Sequence, residues 1–208
     1  MHQVATTEHA QDETTLGLDH RKLLMWAFLG SECLFFASLI TTYLVYRGQS
    51  LVGPYAHEVF DIPYTSVSAF VLLMSSLTMV LALAAIQKGN QKGTRIWLLA
   101  TALLGAVFLG GQVYEFTVFV AEGVSLQGNL FGTTFFTLTG FHGAHVAIGV
   151  FMLFALIGAS LAGKLKPEQS INVELVGLYW HFVDVVWIVI FTVIYLVEAP
   201  DIIHGLGA

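Results

Sequence analysis

Charge is scarce in this chain. Asp, Glu, Lys and Arg together make up 11% of the 208 residues, and only 8 residues are basic. Soluble domains are about 25% charged, so the composition excludes an ordinary soluble enzyme. The few basic residues also exclude a nucleic-acid-binding surface. Cys33 is the only cysteine, which excludes an internal disulfide and a cysteine-based metal cluster.

Apolar residues make up 56% of the sequence and fall in long runs. A membrane-spanning helix needs about 20 mostly apolar residues to cross about 30 Å of hydrocarbon. Five segments meet this requirement, at about 23–46, 63–87, 94–121, 131–163 and 172–198. The predicted fold is therefore all-α, an integral membrane bundle of five transmembrane helices. It forms a single domain over 23–198, with a polar N-terminal tail (1–22) and a C-terminal tail (199–208). The N-terminal tail has no apolar region typical of a cleavable signal peptide.

Basic residues between the helices predict the orientation, because cytoplasmic loops carry an excess of Lys and Arg. Only Arg47 falls on one side of the predicted bundle. The other seven fall on the opposite side: Arg21, Lys22, Lys88, Lys92, Arg95, Lys164 and Lys166. We therefore expect a cytoplasmic N-terminus and a C-terminus outside.

Five ionisable residues are predicted to lie at mid-membrane depth: Glu32, His142, His145, His181 and Asp184. Ionisable groups are costly there and count as candidate functional residues. His142 and His145 are three residues apart, as are His181 and Asp184, so each pair shares a helix face. An ionised lone carboxylate is implausible at this depth. We expect Glu32 to be protonated or hydrogen-bonded to a histidine.

Other polar and aromatic residues are candidates with a different position or role. Gln112 and Glu115 share a face of the third helix and are predicted to lie near the outer interface. Trp26, Trp180 and Trp187 are candidates for packing or for lining a lipid cleft. No catalytic residue is predicted among them.

The histidines allow three interpretations: hydrogen bonding between helices, proton handling or lipid binding, and metal ligation. No Glu-x-x-His motif of the bundle di-metal type occurs at the midplane. His-x-x-His alone is a weak indication of a metal site. The spacing still allows a pair of haem-ligating histidines on facing helices. A proton-coupled transporter is a further alternative, but broken half-helices in matching positions are lacking. The residues alone predict a bundle with a buried polar cluster.

Four motifs carry a resemblance to a known family. Residues 26–36 resemble W-x-F-L-x-S-E-x-x-F-F, and residues 110–116 resemble G-x-x-x-Y-E-[FW]. Residues 139–146 are similar to T-G-x-H-G-x-H-V, and residues 179–187 to Y-W-H-F-[VI]-D-x-V-W. These are motifs of subunit III of haem-copper terminal oxidases, and the resemblance covers about 22–198 in the right order.

The resemblance implies a subunit without a redox metal. It implies that the chain packs against the catalytic subunit I and binds phospholipid. It also implies that the chain supports proton uptake and protects the complex from inactivation during turnover. Haem and copper belong to subunits I and II, and a small subunit IV and a respiratory supercomplex are further partners that the resemblance allows. The implied location is the bacterial plasma membrane.

Individual residues of this chain match the family's motifs. Glu32 corresponds to the carbodiimide-reactive midplane carboxylate. Gln112 and Glu115 correspond to the outer polar pair. The family's buried polar positions are matched by His142, His145, His181 and Asp184.

Two features leave alternatives open. Many family members have seven helices, whereas this chain has five, so we expect a partner subunit to supply the missing wall of the lipid cleft. Five-helix members occur with cytochrome c and with quinol as the electron donor. Cytochrome c is favoured because that class is the commoner one. A stand-alone metal-dependent membrane enzyme using Glu32, His142, His145 and His181 is the more distant alternative.

Overall fold

The computed structural model describes residues 19–46, 49 and 61–196. Apart from short connections, this part of the chain is helical and contains no strand. The five long helices are α1 (His20–Tyr46), α2 (Ile62–Gln87), α3 (Gln91–Ala121), α4 (Leu130–Leu161) and α5 (Ser170–Phe191). A 3-10 turn, Pro167–Gln169, precedes α5, and a π-helical turn, Thr192–Leu196, follows it. All five are long and apolar enough to cross a membrane, which confirms the predicted fold class.

The bounds differ from the predicted ones by a few residues. α1 and α3 each begin three residues earlier than predicted, and α4 ends two residues earlier. Arg47, the C-terminal tail and residues 1–18 of the N-terminal tail lie outside the described residues.

Side-chain caps explain where three of the helices begin. Asp61 accepts a hydrogen bond from the backbone N–H of Tyr64 at the start of α2 (3.1 Å). Asn90 accepts one from Gly93 at the start of α3 (2.9 Å). Asn129 accepts one from Gly132 at the start of α4 (2.7 Å). Each cap satisfies an amide that has no partner within the helix.

Glycines end the same three helices. Gly89, Gly123 and Gly163 have φ angles of +73°, +90° and +70°. Such left-handed conformations are costly for residues with a Cβ atom. In each case the residue after the glycine donates to a carbonyl five residues back, as Asn90 N–H does to Ala85 O (2.9 Å). This Schellman arrangement stops the helix and permits the short connection to the next.

Helices α2 to α5 form a four-helix bundle of up-and-down topology. α2 packs against α3 and α5, and α4 packs against the same two neighbours. α1 lies outside this bundle and contacts chiefly α4 and α5. The short connections make successive helices antiparallel.

Buried residues follow a spacing of alternately four and three along the helices. On α3 the buried positions include Thr94, Leu98, Thr101, Gly105, Phe108, Gln112, Glu115 and Phe119. This is the spacing of a left-handed coiled-coil seam. The outward faces are apolar instead, as at Phe151 of α4 (74% exposed). The bundle is thus apolar on both its inner and outer faces, and its buried polar residues lie on the inner one.

Candidate functional site between the helices

Glu32 of α1 is hydrogen-bonded to His145 of α4. The distance from Glu32 Oε2 to His145 Nε2 is 3.2 Å. The two side chains are only 19% and 15% exposed. The pair therefore joins the outer helix α1 to the four-helix bundle at a position largely removed from the surroundings.

The second ring nitrogen of His145 restricts this pair to two protonation forms. Nδ1 lies 2.7 Å from the carbonyl oxygen of Phe141. A carbonyl can only accept, so Nδ1 carries a hydrogen. In a neutral ring Nε2 is then a bare acceptor, and a hydrogen bond to Glu32 requires the carboxyl to be protonated. The alternative is a carboxylate facing an imidazolium. In both forms one proton is shared between Glu32 and His145, and the pair has no net charge.

Aromatic groups enclose the pair. The ring of Phe36 meets His145 edge to face, with centroids 5.0 Å apart. The ring centroid of Phe35 lies 6.3 Å from that of His145. The hydroxyl of Tyr179, on α5, donates to the carbonyl oxygen of His145 (3.0 Å). Three helices thus position the one shared proton, which the pair could pass to a group that reaches it.

His142 faces the interior and is fully buried. Its Nε2 lies 3.1 Å from the carbonyl oxygen of Val183 and must donate to it. Its Nδ1 has no hydrogen-bond partner among the described residues. The ring packs against Trp187 of α5 (centroids 4.9 Å apart) and edge to face against Phe108 of α3 (5.9 Å). This geometry is that of a hydrogen bond between helices, the first of the three interpretations.

His181 and Asp184 are joined through Ser76 of α2. The Ser76 hydroxyl donates to Asp184 Oδ2 (2.6 Å). His181 Nδ1 lies 3.2 Å from the same Ser76 oxygen. Since the hydroxyl hydrogen is directed to Asp184, Ser76 accepts from His181 Nδ1. Next to this group, Trp180 Nε1 donates to Ser75 Oγ (2.9 Å). Two adjacent serines of α2 therefore hold α5 by three side chains.

Gln112 and Glu115, the predicted outer pair, form hydrogen bonds to different neighbours. Gln112 Nε2 donates to the carbonyl oxygen of Thr139 on α4 (2.9 Å). Glu115 Oε1 accepts from the Thr65 hydroxyl on α2 (2.8 Å) and from the Tyr195 hydroxyl in the π-helical turn (3.2 Å). Both Gln112 and Glu115 are buried, and they link α3 to three other segments.

The three tryptophan candidates have two different environments. Trp180 and Trp187 are fully buried in the bundle, whereas Trp26 is 62% exposed on α1. Trp26 therefore faces whatever surrounds α1, and the other two contribute to packing between helices.

Sequence reasoning missed four hydroxyl groups that complete these contacts: Thr65, Ser75, Ser76 and Tyr195. Thr65 and Ser75 lie on the buried seam of α2. A search for polar and small residues at alternating spacings of three and four would have placed both of them on an inward face. No three His, Cys, Asp or Glu side chains within the described ranges come together as a set of metal ligands.

Comparison with known proteins identifies the family of this chain. The family model of cytochrome c oxidase subunit III matches residues 7–199. The chain belongs to this family. The resemblance read from the four motifs is confirmed, and these motifs lie on α1, α3, α4 and α5.

Subunit III relatives with either donor in their names are similar to this chain. Cytochrome c oxidase subunit 3 of Bacillus sp. (strain PS3) is 40% identical over 88% of this chain and 88% of its own length. Quinol oxidase subunit 3 of Bacillus spizizenii (strain ATCC 23059 / NRRL B-14472 / W23) is also 40% identical, over 82% of this chain and 84% of its own. Cytochrome bo(3) ubiquinol oxidase subunit 3 of Pseudomonas aeruginosa PAO1 is 37% identical, over 84% and 83% respectively.

Family membership makes this chain one subunit of an oxidase complex in a membrane, with the catalytic role in other subunits. The five apolar helices agree with a multi-pass subunit III.

Proposed function

We propose that this chain is the redox-inactive subunit III of a proton-pumping haem-copper terminal oxidase in a bacterial cell membrane. Its task is to stabilise the catalytic subunit I and to support proton uptake during the reduction of oxygen to water. Haem and copper are held by subunits I and II. The observation that carries the proposal is the Glu32–His145 pair, since it places a shared proton between α1 and the bundle in a chain of this family.

The polar residues support a structural task for most of the site. His142, Gln112, Glu115 and Asp184 each bond to a group on another helix. Hydrogen bonds between membrane helices are worth about 0.6 kcal/mol on average. Together they hold α2 to α5 in one arrangement, which a subunit that packs against a larger one needs.

Proton support belongs to Glu32 and His145. This pair lies where α1 meets the four-helix bundle, and its two side chains keep partial exposure. A neighbouring proton pathway in subunit I would meet it from that side. Ionisable groups within the membrane commonly belong to such relays.

Bound phospholipid is supported by a groove between α4 and α5. The groove has a volume of about 400 Å³ and combines an apolar floor with Lys164, Gln169 and Asn172 at its end. A lysine and two amides suit a phosphate headgroup, and the apolar floor, which includes Met152 and Val176, suits an acyl chain. Lys164 lies on the side that we propose to be cytoplasmic.

The exposure of α1 supports the proposal that a partner subunit supplies the missing wall of the lipid cleft. It is the least buried of the five spans, since only 11% of its most apolar stretch is buried, against 33% to 50% for the other four. We propose that another subunit covers part of it, in place of the two helices that longer family members have. We also propose, as the sequence predicts, that residues 23–198 form a single domain and that the N-terminus is cytoplasmic.

Cytochrome c is the favoured electron donor because cytochrome c oxidases are the commoner class. Quinol is the alternative, and the names of relatives at similar identity support each.

The test compares the oxidase purified with and without this chain. We expect equal haem content and equal initial turnover, since the redox centres lie elsewhere. We also expect slower proton uptake and faster inactivation during turnover when the chain is absent. Loss of haem from the complex without this chain would contradict a purely accessory role.

A further inference from the structure

His181 has one ring nitrogen without a hydrogen-bond partner among the residues that the structure describes. Nδ1 donates to Ser76, whose own hydrogen goes to Asp184. In the neutral ring Nε2 is then a bare acceptor. Within residues 61–196 and α1, no group hydrogen-bonds to this nitrogen, and the side chain is half-buried rather than enclosed.

The position of His181 makes this nitrogen unusual. The residue lies 11 positions after the first residue of α5, which is about 16 Å along the helix at 1.5 Å per residue. That is close to the middle of about 30 Å of hydrocarbon. Lipid chains at this depth offer no hydrogen bond.

His181 borders a strip of apolar side chains that the five helices leave uncovered. Val185, one turn further along α5, is 57% exposed, and Ile188 is 42% exposed. Across the seam, Leu73 and Val80 share a face of α2 with Ser76 and are 39% and 50% exposed. We name this surface the His181 face. Its members are Leu73, Ser76, Val80, His181, Val185 and Ile188.

We propose that the His181 face is the docking surface for a transmembrane helix of another oxidase subunit, which places a hydrogen-bond donor against His181 Nε2. This inference rests on the proposed function, because it presumes an oxidase complex. A hydroxyl or amide side chain on an otherwise apolar helix has the chemistry that fits. Ser76 and Asp184 act as positioning residues that hold the imidazole with Nε2 outward.

Photo-crosslinking in the assembled oxidase tests the location. A p-benzoylphenylalanine introduced at Val185, or at Val80 across the seam, is expected to crosslink this chain to another subunit on irradiation. The same group at Phe151 is the control, since Phe151 is 74% exposed on α4; it is expected to give no such product. An intact complex in which neither Val185 nor Val80 gives a subunit adduct would overturn the proposal.

Two substitutions test the role of Nε2. His181→Asn keeps a polar group near the position of Nδ1 and loses the one near Nε2, whereas His181→Gln keeps the latter. We expect His181→Asn to raise the rate of loss of this chain from the detergent-solubilised complex by roughly three- to tenfold, as for one lost hydrogen bond. His181→Gln, which keeps the group near Nε2, should be lost more slowly than His181→Asn. Equal retention of the two variants would overturn the proposal.

The outcomes separate the inference from the proposed function. A chain that purifies without any oxidase subunit would contradict the proposed function itself. A chain that purifies with its oxidase, but gives no adduct from the His181 face, would contradict only the inference.

Discussion

Glu32 and His145 show how one residue pair is made neutral within the membrane. The backbone carbonyl of Phe141 requires a hydrogen on His145 Nδ1, and the hydrogen bond between His145 and Glu32 then leaves only forms of the pair without net charge. Burying an isolated carboxylate costs far more than burying a hydrogen-bonded neutral pair. The substitution of either residue should therefore be judged by whether a hydrogen bond to the other survives.

Glu32→Gln is expected to leave the assembly of the oxidase intact. The glutamine amide can donate to His145 Nε2 and so replaces the hydrogen bond while removing the titratable proton. Co-purification of this chain with the other subunits measures assembly. Glu32→Leu is the contrasting variant, because it leaves His145 Nε2 unpaired at a cost of about 1–3 kcal/mol. A Glu32→Gln complex that fails to assemble would show that the carboxyl itself is structural.

Ser76→Ala should destabilise the contact between α2 and α5. The hydroxyl serves both Asp184 and His181, so its removal leaves one buried and one half-buried polar group without their partner. We expect a loss of about 1–3 kcal/mol, read from the thermal midpoint of the purified complex. Ser76→Thr keeps the hydroxyl and is the control. A midpoint unchanged in Ser76→Ala would refute this part of the account.

At the scale of residues, the sequence was sufficient to predict the ionisable groups of the site but not the hydroxyl groups that bond to them. Glu32 is conspicuous because a carboxyl is rare and costly at mid-membrane depth. Serine carries no such signal, because it can bond to its own helix. Ser31 and Ser38 do so, donating to Phe28 O and Phe35 O (2.7 Å each). Only the placement of a second helix distinguishes Ser76 from them.

At the scale of helices, close approach depends on two glycines that face one indole. A Cβ atom on Gly149 of α4 would lie 2.8 Å from two ring atoms of Trp180. A Cβ atom on Gly105 of α3 would lie 2.5 Å from another. The large side chain of Trp180 therefore occupies the space that the two glycines leave, and α3, α4 and α5 meet around it. Small residues at such contacts let helices approach closely.

Gly149→Ala should destabilise the bundle, because the ring of Trp180 is enclosed and cannot withdraw. Overpacking of this kind costs about 1–3 kcal/mol. Gly158→Ala is the matched control on the same helix, since a Cβ atom there meets nothing within 4 Å. The thermal midpoint of the complex should fall for Gly149→Ala and stay unchanged for Gly158→Ala. Equal midpoints for the two variants would show that the contact at Trp180 is loose.

Five spans could be predicted because length and hydropathy are sufficient to find them. Their inward faces were harder to predict from hydropathy, because the lipid-facing sides are as apolar as the core. The information lies instead in residues such as Thr101 and Gly105, small or polar at seam spacing on α3. The π-helical turn Thr192–Leu196, which presents Tyr195 to Glu115, had no signal in the sequence.

At the scale of the whole molecule, α2 to α5 form a closed bundle and α1 remains the most open element. Charge counts in the loops predict on which side each helix begins, but not which helices touch. The neighbours of each helix are seen only in contacts such as that of Lys22 of α1 with Glu174 of α5, at 2.6 Å. These contacts join residues far apart in the sequence.

The groove at Lys164 is proposed to bind phospholipid, and a substitution of this lysine tests that proposal. Lys164→Gln should lower the amount of anionic phospholipid that purifies with the complex, because a lysine near the membrane surface contributes about 1 kcal/mol to such binding. This corresponds to roughly a fivefold loss of affinity. Lys92→Gln, which removes a charge on the same side but outside the groove, is the control. Lipid analysis that finds equal phospholipid in both variants would remove the assignment of the groove.

The most direct measurement is purification of this chain in mild detergent, followed by an optical spectrum and identification of the accompanying subunits. The account predicts haem absorption together with a large haem-copper subunit, and the copper content of subunit II would then reveal the donor. Recovery of the chain alone, without haem but with stoichiometric metal, would contradict the account and favour a stand-alone membrane enzyme.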